Sequence, residues 1–594
     1  MVRATVISMT LVGALCAQQE DVSPARYYVA LDGSDLAAGS LDAPYRTLGH
    51  AKQVVRKRLA AGMNAPLTVV VRQGVYELAA PLTFDARDSG TDAFAVTYAA
   101  YPGERVILSG GRRIEGMVKV GRLWQKELPA VVSGDWFFRH LTVSDRRAVR
   151  ARWPDQDGAL RIASVADEVQ RFGFDRDIPA RSLVGQSAEM VVYQNWSVTR
   201  GLIIGSRSRE VQTATSMGWI GHGNSTTASV GKPVYLEHAR EFLDQPGEWF
   251  LDPETGVLSY LPRDGEVRER SVVVAPVLSQ LVRLVGTRQE PVRNVHFRGL
   301  SFENTAFPLP AFGYSEIQAA HYGPRFGQRT FVQPVAIACV AAEACRFDRC
   351  RIAHIGASGI GLGAGCRGVV VNGCVVEDIG GSGVMIGWRG VGKLGEASEG
   401  GLDADWADPA DVPTDNVVSN CSIRRCGAAS RGGVGVFVAF SAGTRIVNNL
   451  VHELPYTGIS IGFRWNTSPT SQRGCLVECN HIHDVMRVLA DGGGIYTLGW
   501  QPKTLLRGNY IHDVHRSRFA HGGAPNNGFF LDQGSKGLRI VRNVVHGTSG
   551  AAVRFNLSER EQQEWEANLF GEASASQAAA KAVMRAAGPR AGYR

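Results

Sequence analysis

One hexapeptide pattern recurs in the second half of the chain, as Asn-Leu-Val-His-Glu-Leu (449–454), Asn-His-Ile-His-Asp-Val (480–485) and Asn-Tyr-Ile-His-Asp-Val (509–514). Each copy starts with a small polar residue, here called the anchor, and has apolar residues two and five positions later. Neighbouring segments carry the same pattern, some with Cys as the anchor. The anchors are Cys350, Cys374, Cys421, Asn449, Asn480, Asn509 and Asn543.

A glycine follows each anchor and precedes a short, mostly apolar stretch. These glycines are Gly359, Gly383, Gly435, Gly458, Gly494, Gly528 and Gly550. Successive anchors are 24 to 47 residues apart, with no long helical pattern between them. Repeats of this size, built from short strands, are typical of solenoids, in which stacked turns share a continuous core. We therefore predict an all-β fold, a right-handed parallel β-helix of the pectin-lyase-like kind.

Composition agrees with a solenoid and excludes one function class. A chain of 594 residues is too long for one ordinary globular core, whereas a solenoid grows in one dimension. Its 69 glycines suit many tight turns between strands. The formal net charge is +8, but the basic residues are scattered and form no stripe interleaved with aromatic residues. Nucleic acid is therefore not an expected partner.

The N-terminus has the pattern of a secretory signal peptide. Arg3 is followed by an apolar run from Ala4 to Ala17, and the sequence becomes polar at Gln18. No later stretch is apolar enough to cross a bilayer, so no membrane span is expected. Residues 1–17 are thus predicted to be a signal peptide, and the protein to be secreted or periplasmic.

Apart from Cys16 in the predicted signal peptide, the chain has nine cysteines, and all of them lie between Cys339 and Cys479. In an exported protein such a set suggests disulfides. Three of them, however, occupy anchor positions that later turns fill with Asn, which favours stacked, buried small residues over disulfides or a metal site. No metal and no cofactor are predicted.

The pattern divides the chain into regions, and two long excursions leave the repeat. We expect the excursions, 303–330 and 388–416, to wall a binding face. An amphipathic run near residues 47–59 predicts a helix that caps the open end of the coil. The predicted regions are an N-terminal cap with the first turns (26–113), an inserted β-region (114–290), the coil core (291–558) and a C-terminal helical tail (559–594).

Counting four residues past each glycine gives Asp532 and Arg554 on adjoining turns. Stacked strands lie about 4.8 Å apart, so these side chains are expected to touch. They would form either a structural ion pair or a carboxylate held ionised for chemistry.

Aromatic and hydrogen-bonding residues crowd the same turns. Flat rings suit sugar faces, and Arg and Gln can donate to hydroxyls, so the mixture favours an oligosaccharide ligand. The residues are Tyr456, Arg464, Trp465, Tyr496, Trp500 and Gln501. Asp491 directly precedes the triplet Gly492–Gly494, where an acid would either cap the turn or project into a cleft.

A histidine stands three residues past four of the anchors, at positions 452, 483, 512 and 546. The column resembles a metal-ligand set, but each histidine follows an inward-facing aliphatic residue and should point outward. Solvated histidines are therefore favoured over a zinc site, which needs converging ligands.

Several segments resemble glycoside hydrolase family 141 and its β-helical relatives. They include Leu-Pro-Tyr-Thr-Gly-Ile-Ser-Ile-Gly-Phe-Arg-Trp (454–465), Asp-Gly-Gly-Gly-Ile-Tyr-Thr-Leu-Gly (491–499) and Gly-Phe-Phe-Leu-Asp-Gln-Gly-Ser (528–535). The resemblance implies an exported enzyme with α-L-fucosidase-like or xylanase-like activity and no required cofactor. It also implies that Asp491 and Asp532 are the catalytic carboxylates. Where relatives often have Asp-Glu-Gly-Ser, this chain has Gln533 in place of Glu, which bears on catalysis if that Glu takes part in it.

The spacing of the two aspartates sets a geometric condition. Asp491 lies three residues before its glycine and Asp532 four after its own, so a straight strand would separate them by about 23 Å, at about 3.3 Å per residue. Retaining glycosidases need a separation of about 5–5.5 Å, and inverting ones about 6.5–9.5 Å. The pair can act together only if the glycine triplet folds Asp491 back or if the alignment shifts. Otherwise Asp532 needs another acid, such as one from 388–416.

The predicted function is that of an exported, monomeric glycoside hydrolase acting on a plant or algal polysaccharide or oligosaccharide. Asp491 and Asp532 would be catalytic, and the substrate would be bound by Tyr456, Arg464, Trp465, Tyr496, Gln501, Gln533 and Arg554. Two alternatives remain open. One is a pectate-lyase-type enzyme using Ca²⁺, with Asp403, Asp405, Asp408 and Asp411 as candidate ligands. The other is a carbohydrate-binding β-helix without catalysis.

Overall fold

The computed structural model describes residues 25–155, 158–219, 223, 225–325, 328–390, 405–520 and 525–593. The predicted signal peptide, residues 1–17, lies outside the described residues. Among the described residues, no helix combines the length and apolarity needed to cross a bilayer.

Three long parallel sheets wrap around one core, and each turn of the coil adds one strand to sheet A, then B, then C. Sheet A comprises Ala25–Val29, Leu67–Val71, Val96–Ala100, Val295–Arg298, Arg346–Asp348, Val370–Asn372, Val417–Ser419, Arg445–Val447, Leu476–Glu478, Trp500–Arg507, Lys536–Val541 and Glu564–Glu566. Sheet B comprises Gly74–Glu77, Val106–Ser109, Ser301–Thr305, Arg351–Ile355, Val375–Ile379, Ser422–Cys426, Leu450–His452, His481–Val485, Tyr510–Val514, Val544–Val545 and Leu569–Phe570. Sheet C comprises Leu82–Phe84, Val282–Val285, Val335–Val340, Ser358–Leu362, Val384–Ile386, Val436–Val438, Ile459–Ile461, Gly493–Thr497, Asn527–Leu531 and Val553–Phe555. The predicted all-β parallel β-helix is confirmed.

The aliphatic residues two positions past the anchors form a single inward column in sheet B. They pair in unbroken register and are fully buried: Ile352, Val376, Ile423, Val451, Ile482, Ile511 and Val545. A one-residue slip would turn the whole column to the opposite face, so the repeated pattern fixes the register.

The asparagine anchors stack as a buried hydrogen-bonded series. The amide of Asn449 donates to Oδ1 of Asn480 at 2.9 Å, and the series continues through Asn509, Asn543 and Asn568. Asn449, Asn480, Asn509 and Asn543 thus each donate to the asparagine of the next turn. Each of these four amides also donates to a backbone carbonyl. The buried amides are therefore paired, as buried polar groups must be. All nine cysteines of the described chain are free thiols, and eight of them are buried.

The glycines before the sheet C strands make room for the sheet B column. A Cβ atom at Gly435 would lie 2.6 Å from Cγ1 of Val451, and one at Gly458 would lie 2.7 Å from Cγ2 of Ile482. In the last turn Val553 pairs with Phe529, so Ala552 takes the position that the sequence analysis gave to Gly550. The predicted register of that turn was therefore wrong by two residues.

Helical and irregular segments close the two ends of the coil. Helix Leu48–Ala60 buries Leu48, Ala51 and Val55 against the first turn. At the other end, strands Glu564–Glu566 and Leu569–Phe570 extend sheets A and B past residue 558, the predicted end of the coil core. Helices Glu572–Ala575 and Ala578–Ala586 follow, and the tail returns along the outside, where Tyr593 lies against Arg349. A short helix also spans Pro129–Val132, and single 3-10 turns span Ala86–Asp88, Arg240–Phe242, Arg268–Arg270, Gln318–Ala320, Pro409–Asp411 and Arg560–Gln562.

An insertion interrupts one turn between its sheet B strand, Val106–Ser109, and its sheet C strand, Val282–Val285. Its first part is an eight-stranded sheet in the order Gly111–Arg113, Val273–Pro276, Leu141–Val143, Arg146–Arg150, Glu248–Leu251, Val257–Tyr260, Leu123–Glu127 and Val118–Val120. Its second part is a closed antiparallel barrel of Pro233–Glu237, Leu160–Ala166, Arg171–Phe174, Glu210–Thr213, Val198–Arg207 and Glu189–Tyr193, which closes because the last strand pairs with the first. Each part has its own apolar core.

The remaining strands are short. They are Arg152–Trp153 and Tyr314–Ser315 at the barrel edges, Val292–Arg293 paired with Ala342–Glu343, and Tyr322–Arg325 paired with Gln328–Val332.

A buried histidine joins the insertion to the coil. Nε2 of His354 lies 2.8 Å from Oδ1 of Asp145, in a hairpin turn of the insertion, and Nδ1 lies 2.7 Å from Oδ2 of Asp378 in sheet B. Burial alone would lower the pKa of His354, but the two carboxylates outweigh it and raise the pKa to about 9.

Candidate active site

The last turns of sheet C present a polar and aromatic outer face. Ser460, Tyr496, Phe530 and Arg554 pair as one column, one residue past the core column that contains Ile495. Because side chains alternate along a strand, this column faces away from the coil interior. Tyr496 and Phe530 pack edge to face with ring centroids 5.2 Å apart.

Asp532 directly follows strand Asn527–Leu531, beside this column. Its Oδ1 accepts a hydrogen bond from Nδ2 of Asn556 at 2.6 Å, and its Oδ2 accepts one from the hydroxyl of Tyr496. Burial raises the pKa of Asp532 above its ordinary value, and the negative charge of Asp491 adds to the rise. The hydrogen bonds from Tyr496 and Asn556 act in the opposite direction without cancelling it.

Asp491 lies at the other end of the column, where the chain enters sheet C. Its φ of +62° is left-handed, and the glycine that follows allows close packing against the preceding turn. A Cβ atom at Gly492 would lie 2.5 Å from Oγ1 of Thr457. Oδ1 of Asp491 accepts a hydrogen bond from Nη1 of Arg554 at 2.7 Å, and the Arg554 guanidinium stacks over Phe530, 4.2 Å from the ring centroid. Arg554 therefore balances the charge of the Asp491 carboxylate.

The two carboxylates are tied to the same short segment. Asp491 binds Arg554 and Asp532 binds Asn556, two residues further on. The negative charge of Asp491 also contributes to the raised pKa of Asp532. The alignment between the turns of Asp491 and Asp532 is as predicted, since Gly493 pairs with Asn527. Asp491 itself has a left-handed backbone. The alignment shifts only in the turn after Asp532, where Ala552 takes the place of Gly550.

That shift also corrects a predicted contact. Arg554 pairs in register with Phe530, and its ion pair is with Asp491. The residue four positions past Ala552 is Asn556, which takes the place beside Asp532 that the sequence analysis gave to Arg554. Asn556 was missed because Gly550, Ala551 and Ala552 are all small, and counting from Ala552 would have found it.

The remaining predicted residues fall into two groups. Tyr456, Tyr496 and Gln501 are buried, and Gln501 donates its amide to the carbonyls of Ile461 and Leu498. Gln501 thus fixes the turn after sheet C and does not face a ligand, contrary to its predicted role. The Tyr456 hydroxyl donates to the carbonyl of Asp491 at 3.0 Å and so positions that residue.

The second group lies along the rim where sheet C passes into sheet A. The side chain of Trp465 is 36% exposed and packs edge to face on Phe463. Arg464 and Gln533 are half-buried, and the Gln533 carbonyl accepts a hydrogen bond from the backbone N–H of Gly499 at 3.0 Å.

The predicted metal alternatives are not supported by the geometry of the described side chains. His452, His483, His512 and His546 stack ring on ring along sheet B, with centroids 5.0 to 5.5 Å apart. In the acidic excursion, Asp408 and Asp411 pair with Arg288, and Asp405 accepts from Ser471. Asp403 lies outside the described residues.

Among the described residues, one group has the geometry of a metal-ligand set: Asp145, Glu303 and His354. Arg351 donates to Glu303 at 2.5 Å and to Asp145 at 3.5 Å. A cation already balances these carboxylates, so the group does not fit a metal ion.

Comparisons with known proteins agree with this fold. The family model for the right handed beta helix region matches residues 410–573. A solved structure named "Glycoside hydrolase" is 25% identical, with a TM-score of 0.83 over 96% of this chain and 100% of that one. The chain is similar to a glycoside hydrolase over almost its whole length. With the coil, this similarity indicates a carbohydrate-active enzyme on a right-handed parallel β-helix.

Two further matches are weaker. The complex structure of XylC with xylose is 12% identical, with a TM-score of 0.46 over 89% of this chain and 69% of that one. The "Uncharacterized protein YwoF" of Bacillus subtilis (strain 168) is 39% identical over 83 residues, which make up 14% of this chain and 15% of that protein. The resemblance to glycoside hydrolase family 141 stays a prediction.

Proposed function

We propose that the protein is an exported glycoside hydrolase that cleaves glycosidic bonds of a plant or algal polysaccharide or oligosaccharide. Asp491 and Asp532 would be its two catalytic carboxylates. The observation that carries the proposal is that both lie on one outward face in different electrostatic environments: Asp532 has a raised pKa, and Asp491 is paired with Arg554. Glycoside hydrolysis needs such a pair, one carboxyl that donates a proton and one that stays ionised.

Asp532 is suited to act as the general acid. Burial and the nearby negative charge of Asp491 favour its protonated form, in which it can protonate the leaving glycosidic oxygen. Tyr496 and Asn556 hold both of its oxygens, so the carboxyl is fixed in orientation before substrate arrives.

Asp491 is suited to act as the partner carboxylate. Arg554 donates a charge-assisted hydrogen bond that holds the Asp491 carboxylate in place. This carboxylate would either activate water or attack the anomeric carbon. Under this proposal the catalytic pair consists of Asp491 and Asp532, and Gln533 is not one of the two carboxyl groups.

The two single variants Asp491→Asn and Asp532→Asn test the proposal. Each should retain the wild-type fold and release reducing ends from a broad glycan panel about 10³-fold more slowly than wild type. Asp513→Asn is a matched control, because Asp513 is an exposed aspartate on the outer face of sheet B. Wild-type turnover in both variants would contradict the assignment. The lyase alternative makes a different prediction, a chelator-sensitive reaction with an unsaturated product.

A further inference from the structure

A cavity lies between the insertion and the coil, away from the candidate active site. It has a volume of about 580 Å³, which is within the range of small-molecule sites. Arg150, Arg152 and Tyr235 contribute from the insertion, and Ser430 and Arg431 from the loop between sheets B and C. Neither Asp491 nor Asp532 lines it.

The wall of this cavity has more buried positive charge than negative. Three arginines share two glutamates there. Nη1 of Arg150 lies 3.0 Å from Glu189 and 2.6 Å from Glu237, and both glutamates also pair with Arg200. Arg139 binds Glu189 as well. One guanidinium in this group is therefore left without a carboxylate of its own.

Arg152 adds a second uncompensated charge. It is 5% exposed, its Nε donates to the carbonyl of Pro154 at 3.1 Å, and its guanidinium stacks 3.7 Å from the ring centroid of Tyr235. Within the described part of the chain it forms no ion pair. Nη2 of Arg152 and both Nε and Nη2 of Arg150 also have no hydrogen-bond partner there. Buried charged donors without partners are costly, and a carboxylate is a group whose two oxygens match the guanidinium fork.

The rest of the lining suits a sugar ring. Tyr193, Tyr235 and Phe519 contribute flat aromatic faces, and Ser430 contributes a hydroxyl. Glu316 also lines the cavity, and burial raises its pKa to about 7, so it offsets little of the positive charge in mildly acidic solution.

We propose that this cavity binds a carboxylate-bearing sugar unit, a uronic acid residue, with Arg150 and Arg152 as its anion-binding groups. The site is separate from the Asp491–Asp532 centre and does not depend on hydrolysis. It would allow the protein to hold an acidic glycan while the outer face of sheet C contacts a neighbouring part of the same or another chain.

The test is isothermal titration calorimetry on the full chain with three monosaccharide probes. Methyl β-D-glucuronide should bind at least tenfold more tightly than methyl β-D-glucoside, which lacks the carboxylate. Glucose 6-sulfate should bind less tightly than the glucuronide, because its sulfate is bulkier than a carboxylate and spreads one negative charge over three oxygens. Equal affinity for glucuronide and glucoside, or tighter binding of the sulfate, would overturn the proposal.

Variants assign the binding to this cavity. Arg152→Gln removes the charge and keeps a polar, though shorter, side chain, so it should abolish the preference for the glucuronide. Arg152→Lys keeps the charge and should retain part of the preference. Arg539→Ala, an exposed arginine of sheet A, should bind like wild type. An unchanged preference in Arg152→Gln, with a wild-type circular dichroism spectrum, would overturn the assignment.

The result is independent of the proposed hydrolysis. Asp532→Asn should bind the glucuronide as tightly as wild type. Loss of glucuronide binding in Asp532→Asn would place the uronate at the catalytic face and overturn the second site. A failure to hydrolyse any glycan would contradict the proposed function and leave this binding unaffected.

Discussion

At the scale of single residues, the environment of Asp532 explains how a carboxyl on an outer face becomes suited to proton donation. Burial removes water from it, and Asp491 places a second negative charge nearby. Tyr496 works against both effects by donating a hydrogen bond, and it also holds the group in place. The balance among these contributions sets the pH range of the proposed acid.

Tyr496→Phe tests this balance. The hydrogen bond from Tyr496 lowers the pKa of Asp532, so its removal should raise that pKa further. A general acid is active while protonated, and the basic limb of kcat/KM should therefore move to higher pH. The measurement is the pH profile of kcat/KM on the best substrate of the glycan panel.

The control for this profile is Tyr510→Phe. Tyr510 lies on the outer face of sheet B, among the stacked histidines, and its loss should leave the profile unchanged. A basic limb that stays in place or moves to lower pH in Tyr496→Phe would show that Asp532 is not the titrating acid.

At the scale of elements, the hairpin turn around Asp145 is fastened to sheet B through His354. Asp145 also has its pKa lowered to about 2, chiefly by its hydrogen bond to His354, so the contact is an ion pair at neutral pH. The histidine is 3% exposed, which limits screening by solvent. This contact joins the insertion to the coil.

The raised pKa of His354 predicts a pH-dependent stability. A group whose folded pKa is raised contributes its full stabilisation below its unfolded pKa, about 6.5 for His. That contribution is lost as pH rises through its folded pKa of about 9. The loss should amount to about 3 kcal/mol of the free energy of unfolding. Urea unfolding of wild type and His354→Asn, followed from about pH 6 to about pH 10, should show the difference between them shrinking as pH rises.

His515→Asn provides a matched control, because His515 is an exposed histidine that also lies 2.8 Å from a carboxylate, Asp484. Its effect should be small at every pH, as for most exposed ion pairs. A constant stability difference between His354→Asn and wild type over this range would contradict the account.

The individual strands and turns differ in how well the sequence predicted them. The sheet B column was predictable because seven segments repeat the same anchor pattern, and each confirms the others. The last sheet C strand was misplaced because small residues at 550–552 fit the glycine position equally well. The left-handed backbone of Asp491 was not predictable, since Asp adopts it only when surrounding contacts require it. The cavity between the insertion and the coil was not predictable either, because it depends on barrel strands pairing over long sequence distances.

At the scale of the whole molecule, the coil brings together residues that are far apart in sequence. Asp491, Asp532 and Asn556 come from three successive turns, and parallel stacking places them beside one another. The insertion adds a second polar surface against the corner between sheets B and C. A solenoid suits this arrangement because each turn can contribute one functional residue without disturbing the shared core.

The central claim is that Asp491 and Asp532 act as one catalytic pair, and kcat of the two single variants and the double variant on one substrate tests it most directly. Residues that act as a unit have non-additive effects. The double variant Asp491→Asn/Asp532→Asn should therefore be no slower than the slower single variant. Losses that multiply in the double variant, or full activity in Asp491→Asn, would contradict the claim.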